Sequence, residues 1–132
     1  MSESNEAGIA AGVRAAIGAH TQAQDAGQAD EIVALYASDG VLEIPGMDPI
    51  SGHDALRAAF EGWAPTAPQR HLVANTLITA VSADEATAVS DVAFFQRGDT
   101  GWAVQVVGRY EDTLRHSDGA WLFQHRKTTY LT

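Results

Sequence analysis

The pattern of apolar and polar positions divides the chain into a helical N-terminal part and a strand-rich C-terminal part. From Ile9 to Gln24, the side chains of Ile9, Val13, Ala16 and Ile17 recur at helical spacing and predict an amphipathic helix with one core-facing stripe. Asp25 stands at its end, Ala26-Gly27 breaks the pattern, and Ile32, Val33, Leu35 and Tyr36 predict a second short helix from Ala29 to Tyr36. The two form a helical hairpin. Ser38-Asp39-Gly40 reads as a turn, and Val41 to Ile44 as a short strand ended by Pro45-Gly46. Ser51, three residues before Asp54, has the spacing of a capping box and predicts a third helix. Leu56, Phe60 and Trp63 fall on one face of it, and it is expected to end near Pro65. Residues 1–8, polar and acidic, are expected to form a flexible tail.

Beyond Gln69 the period changes to two. Arg70 to Val81, Ala86 to Arg97, Trp102 to Leu114 and Ala120 to about Thr129 read as strands. The short polar breaks between them, Ser82-Ala83-Asp84, Gly98-Asp99-Thr100-Gly101 and Ser117-Asp118-Gly119, have hairpin length and make the sheet a largely antiparallel meander. Three helices followed by such a sheet is an α+β arrangement in which the helices cover one face, and a curved sheet covered in this way makes a cone. No internal repeat interrupts the 132 residues, so one domain is expected over 1–132.

Composition changes this picture mainly by exclusion. Seventeen acidic residues face eight basic ones, a formal net charge of -9, and no Lys/Arg cluster is present that would neutralise a run of phosphates, so nucleic acid is not an expected partner. With no cysteine, the chain has neither disulfides nor a thiolate nucleophile. The five histidines lack the HxH and HExxH spacings of metal sites, and no metal is expected. No apolar stretch approaches the roughly 18 residues of a membrane span. The expectation is a cytoplasmic protein without membrane association.

The order α-α-β-α-β-β-β-β carries three segments that together resemble one superfamily. They are Leu35-Tyr36-Ala37-Ser38-Asp39-Gly40-Val41, Gly52-His53-Asp54-Ala55-Leu56 at the start of the third helix, and Gly108-Arg109-Tyr110-Glu111-Asp112 followed by Asp118-Gly119-Ala120-Trp121. The chain resembles the SnoaL-like branch of the NTF2-like superfamily over nearly its whole length. Within it, the functional resemblance is to the scytalone dehydratase and hexachlorocyclohexane dehydrochlorinase families, which are cofactor-free lyases. It rests on Asp25 after the first helix, His71 opening the first long strand, Val81-Ser82-Ala83-Asp84 at the next turn, and Arg126 in the last strand. Asp25, His71 and Arg126 are the catalytic residues the resemblance implies, with no cofactor. Gln96 stands where scytalone dehydratase has a second catalytic histidine. Ile44 stands where ketosteroid isomerases carry their base, and Val89 where the epoxide hydrolase branch needs an arginine.

The chemistry of these three residue types is coherent. A histidine facing a low-dielectric pocket has its neutral form favoured, and a nearby carboxylate fixes the tautomer and stabilises the imidazolium once a proton arrives. An arginine stays charged and offers a fork of donors to a departing oxygen or halide, or to an enolate. The expected activity is elimination or isomerisation on a small apolar or hydroxylated ring compound. A SnoaL-type polyketide cyclase and a non-catalytic small-molecule-binding module are the alternatives.

Around the three, Tyr36, Phe60, Trp63, Asn75, Phe94, Gln96 and Tyr110 are the expected substrate-binding residues. Asn75 joins them because period two puts it on the strand face of His71. His20 is read as a helix-surface residue able to reach the pocket mouth, and His53 and His116 as solvent-facing. One conflict remains. If Arg126 points into the cone, strict alternation sends Trp121 and Phe123 to the outer sheet face, which would then be covered by association into a homodimer or homotrimer.

Overall fold

The computed structural model describes residues 3–131, and side chains from residue 5. Three helices, α1 (Glu3–Asp25), α2 (Ala29–Val33) and α3 (His53–Gly62), accompany six strands. These are β1 (Tyr36–Glu43), β2 (Ile50–Ser51), β3 (Gln69–Val81), β4 (Glu85–Gly98), β5 (Gly101–Ser117) and β6 (Ala120–Tyr130). They form one curved, unclosed sheet in the order β2-β1-β6-β5-β4-β3. The meander expected from the sequence is β3 to β6, all antiparallel, and β1 joins it parallel to β6.

The helices cover the concave face. Val13, Ile17, Ile32, Leu56 and Phe60 pack there against Tyr36, Leu42, Ala86, Ala88, Leu114 and Phe123. The alternation on β4 is regular, with Ala86, Ala88, Ser90 and Val92 buried and the residues between them turned outward. Gly12 brings α1 onto β6. A Cβ there would stand 2.6 Å from the Trp121 ring, so the bare backbone is what lets the helix rest on the indole.

Several element boundaries differ from those expected. Helix α1 starts at Glu3, taking in most of the segment read as a tail; Ala7 favours helix, and Glu6 suits the positive end of its dipole. Residues 1 and 2 lie outside the described residues. Helix α2 stops at Val33, and Tyr36 opens β1. Ser38-Asp39-Gly40 lies within β1 as an irregularity between the pairs Tyr36–Phe123 and Val41–His125. Helix α3 has no capping box: Ser51 is taken into β2, Gly52 is the N-cap at a φ of 85°, and no side chain caps the helix.

The conflict on β6 is resolved by a bulge. Between the pairs Thr113–His125 and Leu114–Phe123, β6 carries one extra residue, Gln124. An extra residue inverts the alternation beyond it. Phe123 and Arg126 are therefore both buried, and Trp121 packs on the same core. The large apolar groups on the exposed surface are others, including Leu72, Leu77, Trp102 and Val104.

Close strand packing supplies a test of this geometry. A Cβ at Gly108 would lie 2.5 Å from the Thr129 carbonyl oxygen, whereas one at Gly98 would meet nothing within 4 Å. Gly108→Ala is expected to lower stability by about 1–3 kcal/mol, through displacement of β6. Gly98→Ala should stay within about 0.5 kcal/mol of the native protein, both read by denaturant unfolding.

Candidate active site

Asp25 is the last residue of α1, and the chain around it is built to stop there. Gln28 N–H donates to the Ala23 carbonyl and Gly27 N–H to that of Gln24, with Gly27 at a φ of 71°. This is a Schellman ending, which glycine accommodates without strain. An acidic side chain in the last turn opposes the helix dipole. Its compensation comes from β3. His71 Nδ1–H donates to Asp25 Oδ1 at 2.6 Å, the His71 backbone N–H donates to Oδ2 at 2.7 Å, and Gln69 Nε2 donates to Oδ1 at 3.2 Å. Burial pushes the Asp25 carboxyl up. The hydrogen bonds from the His71 ring, the His71 backbone and Gln69 outweigh it and hold the group below the usual carboxylate range. The His71 ring is stacked on Phe94, with centroids 4.5 Å apart. Both faces of its orientation are thereby set: Nδ1 is engaged by Asp25, leaving Nε2 for a ligand.

Arg126 is the largest fully buried side chain among the described residues. It sits directly across the β5–β6 ladder from Asp112, to which it donates from Nε at 2.7 Å and Nη2 at 3.0 Å. The guanidinium lies 3.8 Å over the Tyr110 ring and 4.6 Å from the centroid of Phe123. Desolvation works against its charge, but Asp112 overcomes this and keeps the group firmly cationic.

His71 and Arg126 share a cavity of about 100 Å³ under the helices, lined among others by His20, Phe60, Phe94 and Tyr110; Asp25 and Asp112 stand behind its wall. It opens toward a wider depression of about 600 Å³, with which it shares Gln24, Trp63, His71, Phe94 and Tyr130. His71 thus stands at the neck between them, while His20 and Arg126 belong to the inner space alone.

Of the residues expected to bind substrate, Phe60, Trp63, Phe94 and Tyr110 line the inner cavity. Gln96 lies on the outer depression. Tyr36 lines neither, being buried in the core with its hydroxyl 2.9 Å from His20 Nε2. Asn75 is displaced from the site: it adopts a φ of 55° where β3 is irregular between Ala74 and Leu77, and its amide donates to Asp91 in exposed surroundings. The period-two argument fails at that irregularity. His20 is 2% exposed and not on the surface, and His53 is half-buried, donating from Nε2 to the Tyr36 carbonyl at 2.8 Å. His116 is exposed.

Sequence reasoning missed Asp112, yet a signal was present. It alternates with Tyr110 and Leu114, both inward-facing apolar positions, and a carboxylate there needs a cation. His20 continues the stripe of Val13, Ala16 and Ile17 at the next helical position.

A SnoaL-like domain model matches residues 9–127. The chain belongs to the SnoaL-like domain family. Among solved structures, it is similar to a Mycobacterium tuberculosis protein of unknown function, with 24% identity and a TM-score of 0.90 over 99% of this chain and 77% of that one. It is also similar to a candidate scytalone dehydratase from Novosphingobium aromaticivorans, with 22% identity and a TM-score of 0.88 over 99% and 89% of the two chains. An NTF2-like protein with a cystatin-like fold from the same organism superposes with a TM-score of 0.83 at 21% identity, over 91% and 80%. At these identities the likeness is one of fold, and it confirms the NTF2-like architecture. No curated protein matches the chain.

Two stability measurements follow from the buried groups. Asp112→Asn leaves Arg126 buried without a counter-charge and should cost about 3–5 kcal/mol in denaturant unfolding. His20 has its pKa driven well below the usual value, first by burial and then by the charge of Arg126. The unfolded chain therefore binds a proton near pH 6.5 that the folded one refuses, and stability falls as pH drops below that value, by at most about 1.4 kcal/mol per pH unit. Unfolding at pH 7.5 and pH 5 should show a steeper loss in the native protein than in His20→Leu.

Proposed function

We propose that this protein is a cofactor-independent lyase or isomerase in which His71 is the general base. The observation that carries the reading is the Asp25–His71 pair, whose short hydrogen bond fixes His71 with Nε2 available at the neck of a small, mostly apolar cavity. A proton on a carbon held there passes to Nε2, and Asp25 stabilises the imidazolium that forms. Arg126 faces the same cavity and supports negative charge as it develops on an oxygen or leaving group.

The family supports the same direction. The SnoaL-like family includes polyketide cyclases and dehydratase-like enzymes, and a candidate scytalone dehydratase shares the fold. Cavity size narrows the substrate. About 100 Å³ is well below the roughly 300–1,000 Å³ that holds a drug-sized ligand, so the inner part takes one small ring and any larger portion lies in the outer depression. This favours a dehydratase-like or isomerase reaction on a small ring compound over the closure of a polycyclic polyketide.

Replacing His71 by Ala is expected to lower turnover of a hydroxylated cyclic ketone by about 10²–10⁴-fold, with the melting transition little changed. Near-native turnover in that variant would remove His71 from the reaction.

A further inference from the structure

Two buried nitrogen atoms, on residues that line the inner cavity, have no hydrogen-bond partner among the described residues: Nη1 of Arg126 and Nδ1 of His20. Both side chains line the same cavity and both rest against Phe123, the histidine ring at 5.3 Å between centroids and the guanidinium at 4.6 Å. Buried donors left unpaired are costly, so the presence of two on residues lining one cavity calls for an explanation.

The state of His20 follows from Tyr36. The Tyr36 hydroxyl is buried, and among the described residues its hydrogen-bond partner is His20 Nε2. Burial keeps the phenol protonated, far above its ordinary range, and keeps the imidazole neutral. If Nε2 carried the ring proton, the buried hydroxyl hydrogen would have no acceptor. The hydroxyl therefore donates to Nε2, and the ring proton sits on Nδ1. Arg126 is committed to Asp112 through Nε and Nη2, which leaves Nη1 as a second donor. Two donors without an acceptor suit a group that only accepts.

We infer that His20 and Arg126 together form a two-donor site for the oxygen of a cyclic ketone and of the enolate made from it, with Tyr36 as the positioning residue that sets the His20 tautomer. The inference rests on the proposed role of His71 for its chemical step. As His71 Nε2 takes the α-proton, the C–H electron pair forms the ring C=C bond and the carbonyl π pair moves to oxygen. That oxygen then accepts from His20 Nδ1–H and Arg126 Nη1–H. For a β-hydroxy ketone, the enolate electrons return to re-form the carbonyl and expel the hydroxyl group, which leaves as water with the proton held on His71. The products are an enone and water, and the enzyme is restored. Because Asp112 balances the guanidinium and His20 is neutral, the site is matched to charge that develops during reaction and to an uncharged ring ketone before it.

The test uses the phenolate form of 4-nitrophenol as an enolate mimic and 4-nitrotoluene as its isostere without the oxygen, on the folded protein and on His71→Ala. The second background removes any contribution from an imidazolium at residue 71. In both, the phenolate is expected to bind about tenfold or more tightly than 4-nitrotoluene, and bound 4-nitrophenol to ionise at lower pH than the free compound. His20→Leu should lose about tenfold in phenolate affinity while 4-nitrotoluene binding changes by less than about twofold. Tyr36→Phe should lose part of the phenolate preference and shift the ¹⁵N signals of His20 away from the Nδ1–H tautomer. Should the His20 variant fail to fold, the phenolate preference and the ¹⁵N spectrum of His71→Ala decide the matter. Equal binding of the two probes, or a ring proton found on Nε2, would overturn the inference. Native turnover in His71→Ala would instead refute the base assignment and leave the oxygen site standing.

Discussion

A charge inside an apolar interior is tolerated only with its partner in place, and the Arg126–Asp112 pair imposes that condition on the whole concave face of the sheet. The two residues stand opposite each other on β5 and β6, so their bond requires both strands to present them inward at the same rung. On β5 this comes from simple alternation through Tyr110, Asp112 and Leu114. On β6 it needs the extra residue at Gln124, because Phe123 must face the same way. The guanidinium is then held between the Tyr110 and Phe123 rings. Its Nη1 has no partner among the described residues, and Arg126 and His20 line the same cavity. The register of the last hairpin, the wall of the cavity and the chemistry of its inner end are one arrangement.

The other end of the cavity shows a local rule broken for a site. An aspartate closing a helix runs against the dipole, and here the helix ending is otherwise regular, with its Schellman bonds formed. Three hydrogen bonds from Gln69 and His71 offset the cost and orient the imidazole. Conflicts of this kind between local preference and position concentrate where function needs them. The spatial order is then Asp25 behind, His71 at the neck, and His20 and Arg126 in the inner wall. His71 lines both the inner cavity and the outer depression, whereas His20 and Arg126 line the inner cavity alone.

Much of this was legible in the chain. The helical stripe of α1, the change from period 3.6 to period two near Gln69 and the hairpin breaks determined an α+β fold with helices on one face, because each of these is a local preference repeated over many residues. The resemblance singled out Asp25, His71 and Arg126 as the candidate site residues. Neighbours one helical turn or one strand step apart could also be read, and Asp112 and His20 were available to that reasoning.

Single-residue events were not. The bulge at Gln124, the turned backbone at Asn75 and the choice of Gly52 over Ser51 as a cap each shift alternation or an element boundary by one position, and each is decided by packing against elements distant in sequence. The sequence by itself determined which elements form and which residue types are available for proton transfer and charge stabilisation. Tertiary structure decided which of them meet: it brought His71 onto Asp25 across 46 positions, paired Arg126 with Asp112, and turned His20 from an apparent surface residue into a wall of the cavity. The physical reason is that a strand's period tolerates no uncertainty. One extra residue reverses the face of everything after it, and only the demand that buried charges and rings be satisfied together shows where that residue goes.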